Sequence, residues 1–143
     1  MDLARAIEIA ISVHRDQVDK YGHPYLEHVF RVMQAGRSDE EKIVGALHDV
    51  VEDSDWTFDA LEKEGLAPHL LEALRCVTKL SEEEDYTHFI NRILDNKLAC
   101  VVKLNDLADN MDIRRMTAVQ EKDLQRLNKY LQAYQRITAA VIR

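Results

Sequence analysis

Glycine and proline are scarce in this 143-residue chain, at 4 and 2, and aromatic residues make up only 6%. Sandwiches and barrels need frequent turn formers and draw on aromatic side chains, so this shortage excludes them and leaves helices joined by short loops. Cysteine is too rare for a disulfide framework. Cys76 and Cys100 each sit among apolar neighbours and read as small core residues in a reducing compartment. No CxxC or CxxxH cluster occurs, which removes a structural zinc site. Positive charge is in the minority. The net charge of −7 argues against general nucleic-acid binding, which needs a basic surface. No apolar run is long enough to span a bilayer, and Asp2, Arg5 and Glu8 are not the start of a secretory leader. The expectation is a cytoplasmic protein with neither membrane nor nucleic acid as partner, its oligomeric state left open.

What is present is 46% hydrophobic and 31% charged residues, sufficient for one globular domain over 1–143. Asp2 reads as an N-cap, followed by Leu3, Ala6, Ile7, Ala10, Val13, His14 and Gln17 at helical spacing. A loop at Lys20–Pro24 leads to a second helix from Pro24 to about Ala35, stopped by Gly36. Ser38 and Glu41 predict a capping box for a third helix, EEKIVGALHDVVED, apolar on nearly every side and therefore central. Thr57 caps a short helix ending at Gly65, and Pro68 opens one to about Thr78. Ser81 and Glu84 predict another capping box, for a helix reaching about Asp95. Leu98 to Ala108 is strongly apolar. Thr117 begins a long last helix with Leu124, Leu127, Leu131 and Ile137 as its apolar stripe and charges opposite. The chain reads as all-α, a single-domain helical bundle.

The functional signal is charge on buried helices. His48 and Asp49 lie between Leu47 and Val50. At helical spacing His48 stacks over Glu52 and Asp49 over Asp53, which predicts one compact acidic patch. A buried carboxylate beside others is costly unless something positive sits there, and a divalent metal is the economical answer. Asp106 and Asn110 share a face of the Leu98–Ala108 region and its continuation, and His28 lies on the apolar face of the second helix. His28, His48, Asp49 and Asp106 form a mixed imidazole and carboxylate set suited to Mn²⁺, Fe²⁺ or Zn²⁺. Other roles exist for single members: His28 as a hydrogen-bonded core histidine, Asp106 as a partner of Lys103 or Lys79. His14 reads either as a buried histidine bonded to backbone or as a partner of the metal-site acids.

The order His…His-Asp…Asp on an all-helical chain resembles the HD-domain metal phosphohydrolases. HRDQVDKYGHPYLEH, ALHDVVEDSD, VTKL and VKLNDLADNM are similar to the hydrolase domain of the RelA/SpoT group and its small stand-alone alarmone hydrolases, over about residues 3–115. The resemblance implies a Mn²⁺-dependent hydrolase that removes the 3′-pyrophosphate of guanosine tetra- or pentaphosphate (ppGpp), with a small-molecule nucleotide as substrate. It implies His28, His48, Asp49 and Asp106 as metal ligands and Glu52 and Asp53 as the catalytic acids. Lys20, Tyr25, Lys79 and Asn110 then fall in the nucleotide pocket. Gln17 also falls on a motif position, and Arg114 and Arg115 are further helpers.

Departures from the family's run are concentrated in two places. Asp19 stands where the family has an arginine that helps hold guanine, and Val29 replaces a proline after His28. After Asp106 the family reads Arg-x-His-Asn-Met-Arg-Thr, whereas this chain has Leu107, Asp109, Asp112 and Ile113 at the altered positions. An HD phosphohydrolase for another nucleotide or phosphoester therefore stays open, as does a non-catalytic nucleotide or metal sensor. A two-iron oxygenase would need bridging ligands that His69 and His88 are not placed to supply.

Overall fold

The computed structural model describes residues 1–142. Nine α-helices follow one another among them: α1 (Leu3–His14), α2 (Tyr25–Ala35), α3 (Asp39–Leu47), α4 (Val50–Asp53), α5 (Phe58–Lys63), α6 (Pro68–Val77), α7 (Tyr86–Leu94), α8 (Lys97–Asn110) and α9 (Glu121–Ile142). A 3-10 turn covers Ile113–Arg115, and no strand occurs among the described residues.

The boundaries follow local chemistry. Side-chain oxygens of Asp2, Ser38, Thr57, Asp85 and Asn96 accept backbone N–H groups at the starts of α1, α3, α5, α7 and α8. Pro68 opens α6. Helix α3 is the hub and packs against α1, α2, α6 and α8. Gly45 makes its approach to α2 possible, because a Cβ there would lie 3.2 Å from the Met33 Cα. Ile43, Val44, Ala46 and Leu47 join Ile9, Val29, Leu74, Ile93 and Val102 in one core.

Four expectations change. The third helix is not continuous: it ends at Leu47, turns through His48 and Asp49, and resumes as α4 at Val50. Helix α7 starts five residues after Ser81, because Asp85 caps it, while Glu84 folds back to accept Leu80 N–H at 2.9 Å. The last helix begins at Glu121 rather than Thr117. Its inward side carries Asp123, Tyr130, Ala133, Tyr134 and Ile137, while Leu124 and Leu131 face solvent. Of the expected stripe, Ile137 is buried and Leu127 half-buried, while Leu124 and Leu131 point outward because α9 lies partly over a polar cleft rather than over the core. Cys100 is buried and Cys76 half-buried; both are free thiols.

Candidate metal centre and its cleft

Three elements bring the acids and imidazoles together. His28 projects from α2, His48 and Asp49 from the turn between α3 and α4, and Asp106 from α8. Ligand atoms of His28, His48 and Asp49 all lie within 4.8 Å of one another. Asp106 Oδ1 approaches His28 Nε2 to 3.1 Å and His48 Nε2 to 3.4 Å. Three of the four residues named from the sequence thus cluster directly, and Asp106 adjoins them through both imidazoles.

Each imidazole uses Nδ1 for support. His48 Nδ1 lies 2.6 Å from the Gly45 carbonyl, and His28 Nδ1 lies 2.6 Å from Asp109 Oδ2. Both partners only accept, so Nδ1 carries the proton and Nε2 faces the acids. His48 Nε2 is buried without a hydrogen-bond partner, although Asp49 Oδ2 is only 2.9 Å away, because the approach is not aligned for a bond. Orphaned buried donors and acceptors are rare and need a reason. An unpartnered imidazole nitrogen beside two carboxylates fits a divalent cation.

In the chain alone, protons and one lysine neutralise this charge. Burial works against a charged His48, but Asp49 and Asp106 overcome it and hold its pKa well above the usual histidine value. Burial raises Asp49, yet His48 prevails and brings it to about 2. Asp106 is likewise pushed up by burial and held well below the usual range by Lys103 and the two histidines. Lys103 Nζ sits 2.9 Å from Asp106 Oδ2, the alternative partner foreseen for that carboxylate. Asn110 donates to the other Asp106 oxygen at 3.1 Å.

Glu52 and Asp53 do not form the compact patch expected with His48 and Asp49. The break after Leu47 sends Glu52 toward the α6–α7 loop, where its Oε1 accepts Lys79 N–H at 2.6 Å. Asp53 faces α1 and accepts from Gln17 Nε2 at 3.2 Å. His14 Nδ1 in turn lies 2.7 Å from Gln17 Oε1. His14 is therefore bonded to a side chain, not to backbone, and reaches Asp53 through Gln17. Burial raises both acids, with Asp49 adding to the rise, against the Lys79 N–H at Glu52 and against Gln17 at Asp53. Carboxylates raised in this way hold a proton more readily than free ones. The Tyr25 hydroxyl donates to Asp49.

Two cavities share Tyr25, Asn110 and Tyr130 as walls. One, of about 200 Å³, holds His48, Asp49, Glu52, Asp106, Lys79, Lys103 and Lys129. The other, of about 350 Å³, holds Lys20, Gln17, Asp19, His28, Arg115 and Arg126. Lys20, Tyr25, Lys79 and Asn110 therefore all line the cleft. Asp19 lines the second cavity, and its Oδ1 accepts the N–H groups of Tyr21 and His23 and shapes the loop that Gly22 completes at φ 84°. Arg114 is exposed and paired with Asp112, away from both cavities. The sequence reading missed Arg126, Lys129 and Tyr130 of α9. Their spacing of three and four residues was the available signal, obscured by the leucine stripe. Burial and then Lys79 lower Lys129, as expected where several cations crowd one cleft.

No family model matches the chain. It is 28% identical over 121 residues to a guanosine-3′,5′-bis(diphosphate) 3′-pyrophosphohydrolase of Aquifex aeolicus, covering 77% of this chain and 17% of that protein. It is 30% identical over 125 residues to a probable GTP pyrophosphokinase of Mycobacterium leprae, covering 78% and 16%. The chain thus spans about a sixth of the length of these relatives. Among solved structures it superposes on a metazoan ortholog of SpoT that hydrolyses ppGpp, with a TM-score of 0.75 at 24% identity over 97% of this chain and 84% of that one.

Proposed function

We propose, for a chain with the RelA/SpoT-type HD hydrolase fold, that it hydrolyses the 3′-diphosphate of a guanosine tetra- or pentaphosphate with the help of Mn²⁺. The observation that carries this reading is the unpartnered Nε2 of His48, facing Asp49 and Asp106. His28, His48, Asp49 and Asp106 would hold the ion. When bound, it supplies phosphate polarisation and a water acidified toward neutrality. No helix is long and apolar enough to cross a membrane, and we place the activity in the cytoplasm.

The remaining work falls to the chain's own residues. Glu52 and Asp53 follow the turn that carries Asp49, on α4, and can take the proton of the attacking water. The water oxygen bonds to the phosphorus attached to the 3′ oxygen. That P–O bond breaks, the 3′ oxygen gains a proton, and pyrophosphate leaves. Lys79 and Lys129 line the metal-side cavity and offset phosphate charge, while Lys20 and Arg126 do so in the adjoining one. An acidic protein can bind a polyanion in this way because the field in the cleft is local. Tyr130 and Tyr25 line both cavities.

A second reading keeps the chemistry and changes the base. The place of Asp19 favours it, because an acid lines the second cavity where the resembling family has an arginine that helps hold guanine. The test is pyrophosphate release from guanosine 3′,5′-bis(diphosphate) and its adenosine counterpart, with Mn²⁺ or with chelator. Mn²⁺-dependent release from the guanosine compound is expected. Release from the adenosine compound alone selects the second reading, and no release from either overturns the hydrolase proposal.

A further inference from the structure

Asp109 stands where the resembling family's run has a histidine, and by sequence it reads only as a departure from that run. Its surroundings give it another task. Oδ2 lies 2.6 Å from His28 Nδ1, and the two residues come from helices 81 positions apart. The Asp109 side chain is only 9% exposed. Arg31 of α2 reaches Oδ1 through Nε at 2.6 Å and Oδ2 through Nη2 at 3.3 Å. Arg115 reaches Oδ2 through Nη1 at 3.2 Å and the Asp109 carbonyl through Nη2 at 3.1 Å.

We propose that Asp109 is a positioning residue of the metal centre, fixing the tautomer and ring plane of His28 while Arg31 and Arg115 hold the carboxylate in place. This rests on the metal reading given above. A carboxylate on Nδ1–H leaves the Nε2 lone pair facing Asp49 and Asp106, stops the ring from turning, and makes that nitrogen a stronger donor. The two histidines differ in this respect. His48 is supported by the neutral Gly45 carbonyl, whereas His28 is supported by a full negative charge. Both Asp109 oxygens are engaged by His28 and the arginines, so Asp109 is not itself aimed at the ion. An ion-paired acid on the last turn of α8 thus supports the ligand on α2.

The test is Mn²⁺ titration of chelator-stripped protein, with free Mn²⁺ read by electron paramagnetic resonance, on the parent, Asp109→Asn and Asp109→Leu. Melting temperatures are taken in chelator alongside. Asp109→Leu should weaken Mn²⁺ binding by roughly 10- to 100-fold, and Asp109→Asn, which keeps an acceptor for Nδ1–H, by a smaller factor of at least about threefold. A merely structural role would lower the melting temperature in chelator and leave the affinity of the folded protein at the parent's value. That result in either folded variant overturns the inference while the metal reading stands. A parent that binds no Mn²⁺ overturns both.

Discussion

Replacing Lys103 by methionine should destabilise the metal-free protein and spare the metal-loaded one. Lys103 is buried against Asp106, with side chains 11% and 10% exposed and a 2.9 Å separation. Removing one partner of a buried pair typically costs 3–5 kcal/mol, because the other charge is stranded. Asp106 keeps His28 at 3.1 Å, His48 at 3.4 Å and Asn110 at 3.1 Å. The loss should therefore fall at the low end, about 3 kcal/mol. For a domain of this size that corresponds to a fall of about 6–12 °C in melting temperature. A divalent ion would give Asp106 a cationic partner and would itself be favoured by the removal of a neighbouring positive charge. The deficit measured by circular dichroism melts in chelator should then shrink in Mn²⁺. A Lys103→Met protein that melts with the parent in chelator would refute the buried-pair argument. A deficit of equal size with and without Mn²⁺ would refute the link to the metal.

Glu52→Gln and Asp53→Asn should keep the fold and bound Mn²⁺ yet lose on the order of a hundred- to ten-thousand-fold in single-turnover hydrolysis; cleavage at the parent rate with metal quantified in the same sample removes them from proton transfer. Gln17→Leu should cut turnover roughly tenfold at unchanged Mn²⁺ affinity, since it severs the link from His14 to Asp53, and His14→Phe should do the same in whatever protein folds. Unchanged turnover in both would leave that relay without a role. Glu84 is held at about 2, first by the paired Arg92 and then by the Leu80 N–H and His88, against burial. A carboxylate lowered in the folded state contributes stability above its ordinary value of 4.5 and loses it as pH falls toward 2. Glu84→Gln should therefore cost about 1–3 kcal/mol at pH 7 and flatten acid unfolding between those values, with urea titrations along pH as the measure. Parallel pH curves would count against the Arg92 pairing.

The parts of the fold governed by one-residue chemistry were legible. Asp2, Ser38 and Thr57 cap where their side chains allow, and Gly36 ends α2. The misreadings arose where two signals competed. Ser81 and Glu84 have capping-box spacing, but Glu84 is drawn into a bidentate pair with Arg92 at 2.8 Å on both nitrogens, leaving Asp85 to start the helix. Leucines on α9 outvoted Arg126, Lys129 and Tyr130 in any count of apolar positions, although those polar residues face the cleft. The converging set His28, His48, Asp49 and Asp106 was legible because each is a costly group on an apolar helix. The support beneath it was not. Asp109 and Gln17 look like ordinary helix polarity until tertiary contacts, up to 81 residues apart, give each a partner, whereas the Lys103–Asp106 pair, three residues apart on one helix, could be foreseen.

The break between α3 and α4 shows why a uniform helical period could not give the site. Adjacent residues on a helix do not face each other, so a continuous helix would aim His48 and Asp49 in different directions. Ending α3 at Leu47 puts Asp49 at φ −108° and ψ 2° and brings its carboxylate to 2.9 Å from His48 Nε2. The same termination leaves the Gly45 carbonyl without its usual partner four residues on. His48 takes it twice, through backbone N at 3.5 Å and through Nδ1 at 2.6 Å. The bond that orients one imidazole is thus made from the hydrogen bond the helix gave up. Beyond the turn, α4 restarts with Asp53 N–H on the Asp49 carbonyl at 3.0 Å, and from that single turn Glu52 reaches Lys79 N–H while Asp53 accepts from Gln17. Any substitution that let α3 run on through Asp49 would keep every residue of the set in the chain and take apart the place where they meet.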